Sequence, residues 1–281
     1  MALMAEEKND LLRRAKGLRK DIVDITAWSG GAHIGGSLSV IDLLTYLYFH
    51  ALNINTQEPE WPDRDRLILS KGHTALAYTA VLARRGFFDF ELLKSFNKFG
   101  SPFGMHPDGN KITGCDASTG SLGHGLPIAV GLALGAKIQD ASWRVFCIVG
   151  DGELNEGSNW EAMMAASHHK LDNLTVIVDR NRLMIDGPTE EVMSIEPLAD
   201  KLTAFGMAVQ DIDGHDFDAL HGAVESANAA NTPCAIIANT VKGKGVDFME
   251  NEVPWHYGSV DSALRDKAHA SIDAMYEGQL Q

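Results

Sequence analysis

Asp151 and Asn181 carry oxygen ligands, and each follows a hydrophobic run: 144–149 leads into Gly150-Asp151-Gly152, and 174–178 into Asp179-Arg180-Asn181. One crossover helix fits between the runs, so they read as neighbouring parallel strands whose carboxyl ends share a sheet edge. Open α/β sheets bind their ligands along that edge. A carboxylate and an amide oxygen there suit a hard cation such as Mg2+, which takes few protein oxygens and fills its shell with phosphate and water. Gly150 and Gly152 would let main chain approach a bound phosphate. Taken alone, the pair fits a ligand-free strand-end turn equally well.

A second group of residues widens the chemistry. His33, His73, His106 and His124 all lie in glycine-rich loops, and His256 sits in the late loop Pro254-Trp255-His256-Tyr257-Gly258. Imidazoles donate to phosphate or hydroxyl groups and exchange protons near neutral pH. Zinc is the rival use of histidines, but no HxH or HExxH spacing occurs, and the carboxylate and amide pair favours Mg2+.

The surrounding elements must position these groups. Apolar spacing predicts a long helix over 6–27, then a loop from Trp28 to Ser37 carrying His33, with Ser37 or Ser39 capping a helix that runs to His50. A short strand, 65–69, delivers Ser70-Lys71-Gly72-His73 ahead of a helix over 74–84. The glycine-rich stretch 99–125 carries His106 and is long enough for a functional loop. Helix 126–138 is lined with small residues that admit close packing, inside the domain or across a subunit interface. Further segments alternate: helix 198–205, strand 207–212, helix 216–230, strand 234–239 and a last helix over 262–276. This order predicts an α/β fold, a mostly parallel sheet with helices on both faces. Residues 1–281 read as one domain, with a flexible tail over 1–9, an active-site loop over 242–260 and a C-terminal helix in 261–281.

Charge and cysteines narrow the setting. A net charge of -14, with no basic arm, argues against nucleic acid or an anionic membrane as partner. A phosphorylated ligand must then be held by local devices such as a metal, helix N-termini or histidines. Cys115, Cys147 and Cys234 are scattered without metal-ligand spacing and read as reduced core thiols, and the charged, amphipathic start resembles no signal peptide, so a cytoplasmic location is expected.

Together, GDG…N with Asp151 and Asn181, Ser70-Lys71-Gly72-His73, Thr119-Gly120-Ser121-Leu122-Gly123, and Thr240-Val241-Lys242-Gly243 with Trp255-His256 resemble the thiamine-diphosphate (ThDP) domain of transketolases. The resemblance runs from His33 to His256 in the family's order. It implies a ThDP-binding fold of the diphosphate type. Asp151, Asn181 and the main-chain oxygen of Leu183 would hold Mg2+, with Ca2+ or Mn2+ as possible substitutes. His73, Gly120, Ser121, Leu122, Gly152, Lys242 and His256 would surround the diphosphate and thiazolium, with Ile185 against the thiazolium ring. His33, His106 and His256 would face sugar hydroxyls, and Glu156 matches a glutamate that in the family communicates between active sites. The bland reading of Lys242 is an exposed lysine, and of Glu156 a first-turn acid favoured by the helix dipole.

Two positions depart from the pattern: His124 stands where glutamine is common, and Ile34 follows His33 where proline is common. Both bear on donor specificity. A full transketolase adds a pyrimidine-binding domain and a third domain, so the resemblance implies the N-terminal subunit of a split enzyme. It would work with a separate C-terminal subunit, as an α2β2 heterotetramer acting on sugars or sugar phosphates. The expected reaction passes a two-carbon ketol unit from a ketose to an aldose. The α subunit of a 2-oxoacid dehydrogenase, or a non-catalytic ThDP-like regulatory subunit, are the alternatives. Which sugars are used, in the pentose phosphate or a modified-sugar route, stays open.

Overall fold

A computed structural model describes residues 2–280. In chain order its elements are α1 (Ala5–Ser29), α2 (Ile34–Tyr46, continued by a π-helical turn Leu47–Ala51), β1 (Arg66–Leu69), α3 (Ala75–Arg85), α4 (Gly125–Ile138), β2 (Val145–Gly150), α5 (Gly157–His168), β3 (Leu174–Arg180), the single turn α6 (Thr189–Val192), α7 (Leu198–Ala204), β4 (Ala208–Asp213), α8 (Phe217–Ala229), β5 (Cys234–Asn239) and α9 (Ser262–Met275). The strands form one five-stranded parallel sheet in the order β1-β2-β3-β5-β4.

The sequence explains the layering. β2, β3 and β5 are near-continuous apolar runs, as strands covered on both faces must be, and they are buried almost throughout. Alternate residues feed two cores. Phe146, Ile148, Ile177 and Ile236 pack with α1, α2, α3 and α8. Val145, Cys147, Val149, Val176 and Val178 pack with α4, α5 and α7 on the other face. Edge strand β4 alternates polar residues outward and is half exposed.

Two expectations need correction. The chain is already helical from Ala5, Leu3 is buried, and the Leu3 N–H reaches Asp218 while Lys8 pairs with the same carboxylate at 2.5 Å. Only residues 2–4 of the expected 1–9 tail are described as non-helical, and Met1 lies outside the described residues. Likewise α2 begins at Ile34, directly after His33, so neither serine caps it. The Ser37 hydroxyl donates to the His33 carbonyl, and Ser39 donates to Gly36 O and to Asp179. The last helix ends at Met275, and Gln281 lies outside the described residues.

Candidate active site

Every strand except β4 ends in a loop that reaches the same place. A cavity of about 290 Å³ lies over the carboxyl edge, lined from β1 by Lys71 and His73, from β2 by Gly150 to Glu153, from β3 by Asn181 and Leu183 to Ile185, and from β5 by Lys242 and His256. Gly36 of α2, and His106, Gly120 and Leu122 of the long loop, complete the lining. Register explains the convergence, because Gly150 of β2 pairs with Asp179 of β3 and Asp179 with Ala238 of β5.

Two buried acids hold these loops. Asp179 accepts from Lys71, Thr240 and Ser39, joining the ends of β1, β3 and β5 to α2. Burial alone would raise its carboxyl, but Lys71 and these hydrogen bonds hold it below its ordinary value. Glu153 accepts from the Ser70 hydroxyl, from Gly123 N at 2.9 Å and from Gly150 N at 3.0 Å, so one carboxylate pins three loops. Burial pushes that carboxyl up.

At one end of the cavity the oxygen ligands gather. Asp151 is 2% exposed. Its Oδ1 accepts from Gly152 N at 2.8 Å, and its Oδ2 from Arg182 N at 2.6 Å and Arg180 Nη1 at 3.0 Å. Arg180 also donates to Thr189 at 2.6 Å and to Glu190 and Glu196 at 2.8 Å each, tying Asp151 to loop 182–196. Asn181 Oδ1 accepts from Leu183 N at 3.2 Å, which fixes the amide beside the Leu183 carbonyl. Burial and the neighbouring Asp179 push the Asp151 carboxyl up. Among the described residues no three His, Cys, Asp or Glu side chains gather to hold a metal. An ion here would draw on one carboxylate, an amide and a carbonyl, a hard set suited to Mg2+.

The other end is imidazole. The His33 ring lies 5.4 Å from His73, 5.4 Å from His256 and 6.2 Å from His106, and His73 stacks on His256 at 5.5 Å. Burial first, then His106 and Lys242, lowers His33 to about 4. Burial first, then Lys242, lowers His256 to about 3. His73 falls well below its ordinary value for the same first reason, with Lys71 next. The buried His33 Nδ1 has no partner among the described residues. Between the ends, Lys242 Nζ donates to Leu183 O at 3.0 Å and to His256 Nδ1 at 2.9 Å, and burial with nearby Lys71 lowers it to about 8. It is 2% exposed, so the surface-lysine reading is set aside.

These residues fit a diphosphate with a hard cation. Two lysines supply local positive charge within an acidic protein. A side chain added at Gly152 would run into Met184, and one at Gly36 would press on Thr74, so bare backbone keeps the cavity open. Ile185 and Leu122 present apolar surface at its mouth, 63% and 37% exposed. His33 lies behind the lining and meets it through its ring contacts. Ser121 and Glu156 are exposed and do not line the cavity. Gly36, Lys71, Glu153 and Met184 do line it and were not anticipated, although Lys71 and Glu153 stand inside the SKGH and GDGE strings.

Comparison with known proteins shows the family. Residues 11–271 match the family described as transketolase, thiamine diphosphate binding domain. Over 271 residues the chain is 43% identical to 6-deoxy-6-sulfo-D-fructose transketolase subunit SqwG of Clostridium sp., covering 96% of this chain and 98% of that protein. It is 42% identical over 260 residues to an apulose-4-phosphate transketolase subunit of Phocaeicola vulgatus, covering 92% of each. Transketolase from Campylobacter jejuni superposes with a TM-score of 0.87 at 30% identity, over 96% of this chain and 43% of that one. The chain thus spans less than half of a solved transketolase while matching the subunits nearly end to end. It belongs to the transketolase family, as a thiamine diphosphate binding domain.

Proposed function

We propose that this chain is the diphosphate-binding subunit of a two-chain transketolase that moves a two-carbon ketol unit from a ketose to an aldose with ThDP and Mg2+. The observation that carries the reading is the joining, in one cavity, of a hard oxygen set at Asp151, Asn181 and Leu183 with a neutral histidine cluster. The names of two relatives, each a transketolase subunit matched over more than nine-tenths of its length, support the partner.

In this reading Asp151, Asn181 and Leu183 O hold the metal, Lys71, Lys242, His73 and the Gly152 backbone hold the diphosphate, and Leu122 and Ile185 pack on the thiazolium. ThDP, when bound, supplies a stabilised carbanion able to add to carbonyl carbon. The chain's own part is orientation and proton handling. Lys242, donating to His256 Nδ1, leaves the proton of a neutral His256 on Nε2, and His33 keeps a bare or protonated Nδ1 with no internal partner among the described residues. Imidazoles that are neutral at pH 7 offer a lone pair to the hydroxyls of a bound sugar, and an anionic diphosphate beside them would raise their basicity toward the range that suits proton exchange. Apolar Ile185 and Leu122 at the mouth invite cover by the second chain, which would also exclude water from the cavity. Glu156, exposed as the residue preceding α5, faces outward where it can meet a second active site of an α2β2 assembly.

The α subunit of a 2-oxoacid dehydrogenase gains no specific support, since the relatives above are transketolase subunits. The test is to combine the chain with its C-terminal partner, ThDP and Mg2+ and to offer a ketose donor with an aldose acceptor. Two-carbon transfer is expected. Decarboxylation of a 2-oxo acid without transfer would overturn the reading.

A further inference from the structure

Lys242 can meet a diphosphate only if the backbone of loop 240–243 is held, and one of its anchors is a histidine outside the cavity. The Val241 N–H donates to His215 Nε2 at 2.9 Å. A backbone N–H can only donate, so Nε2 is bare and the ring proton sits on Nδ1. That Nδ1 lies 2.6 Å from Asp42 Oδ2 and donates to it. Asp42 is in turn gripped by Arg19, at 2.8 Å to Oδ1 and 2.6 Å to Oδ2. Arg19 is fully buried and also donates to Tyr276 at 2.7 Å and Lys244 O at 3.1 Å. Burial alone would raise the Asp42 carboxyl, but Arg19 and His215 hold it well below the ordinary range, so it stays an acceptor.

We infer that His215 is a positioning residue for the cofactor, with Asp42 fixing its tautomer so that Nε2 holds the Val241 amide and sets the register of Lys242. The inference rests on the ThDP reading above. Both ring nitrogens are committed, one to each neighbour, as in the outer partners that orient metal-bound histidines. A carboxylate on Nδ1 fixes the ring, and the ring fixes the loop. Thr240 and Gly243 are held on either side, through Asp179 and Gly35 O, so Val241 is the link that His215 secures.

The two nitrogens can be replaced separately. In His215→Gln the side-chain oxygen reaches the position of Nε2 and keeps an acceptor for Val241. In His215→Asn the amide mimics Nδ1, keeps Asp42 and loses Val241. Amide hydrogen exchange on the isolated chain reads the first step without any cofactor, and ThDP titration of the assembled enzyme reads the second. We expect Val241 protection and ThDP affinity to survive in His215→Gln within about twofold. In His215→Asn, Val241 exchange should rise and the apparent Kd for ThDP should increase ~5- to 10-fold, the scale of one lost hydrogen bond, with kcat at saturating ThDP unchanged. Protection that follows the asparagine variant would overturn the inference. So would a loss of Val241 protection with unchanged ThDP affinity, or equal behaviour of both variants. Should His215→Asn fail to fold, loss of Val241 protection or ThDP affinity in His215→Gln overturns it and retention of both supports it. If the wild-type assembly binds no ThDP, the cofactor reading fails while the exchange data still judge the anchor.

Discussion

The two ends of the cavity are built on opposite terms. At the oxygen end, both oxygens of Asp151 are engaged by two backbone amides and a guanidinium, which still leaves a lone pair on Oδ1 for a cation, and Arg180 carries the connection onward to Glu190 and Glu196. At the imidazole end the rings touch mainly one another, and His33 Nδ1 is buried without a partner among the described residues. A buried polar atom left unpaired costs ~1–3 kcal/mol. The chain carries that cost at His33 Nδ1 and, behind the oxygen end, at Arg180 Nε, but it leaves neither oxygen of Asp151 unpaired. The difference separates the roles: a rigid, pre-formed end suits holding a cofactor, whereas unsatisfied neutral imidazoles suit groups that arrive and leave with each turnover.

That comparison can be broken in several ways. The largest expected effect is Asp151→Ala, which should abolish metal-dependent ThDP binding in the assembled enzyme, by at least ~100-fold in apparent affinity. Calorimetric titration reads it, and unchanged affinity would show that the oxygen end holds no metal. Next, His106→Ala and His33→Ala should each lower turnover ~100-fold or more while leaving ThDP affinity within a few-fold. A parallel loss of affinity would erase the distinction between the ends. Arg180→Met should weaken the apparent metal affinity ~10- to 100-fold, with kcat recovering at saturating metal, because Arg180 orients Asp151 without touching substrate. Failure of excess metal to restore turnover would assign it a different role.

The smallest effect concerns acid. A histidine that titrates at about 3 folded and at 6.5 unfolded binds fewer protons folded between those values, so stability falls as pH drops through that window. His33, at about 4, adds to the slope over the upper part of it. The melting temperature of the isolated chain should therefore fall from pH 6.5 toward 4, and less steeply in His256→Asn. Equal slopes in the two proteins would contradict the electrostatic account of the imidazole end.

Much of this was legible in the residues. The apolar runs ending in GDG and DRN located β2 and β3 to within two residues, because a strand buried on both faces must be apolar throughout. The family resemblance read from those motifs is borne out by the match over 11–271. The start of α2 was misplaced because Gly35, Gly36, Ser37 and Ser39 look like loop and cap residues. Tertiary packing overrides that local preference, burying all of them. Lys71 stands in the Ser70-Lys71-Gly72-His73 motif, but its role, like those of Glu153 and His215, is not legible in the sequence for another reason. Their partners lie 108, 83 and 173 positions away, at Asp179, Ser70 and Asp42, and only the closed sheet edge brings them together.

The central claim is that this chain supplies one part of an active site and that a second chain completes it. The most direct test measures ketose-to-aldose two-carbon transfer by the purified chain with ThDP and Mg2+, by its C-terminal partner under the same conditions, and by the two mixed. The account predicts turnover in the mixture alone. Sustained transfer by this chain without its partner would contradict it.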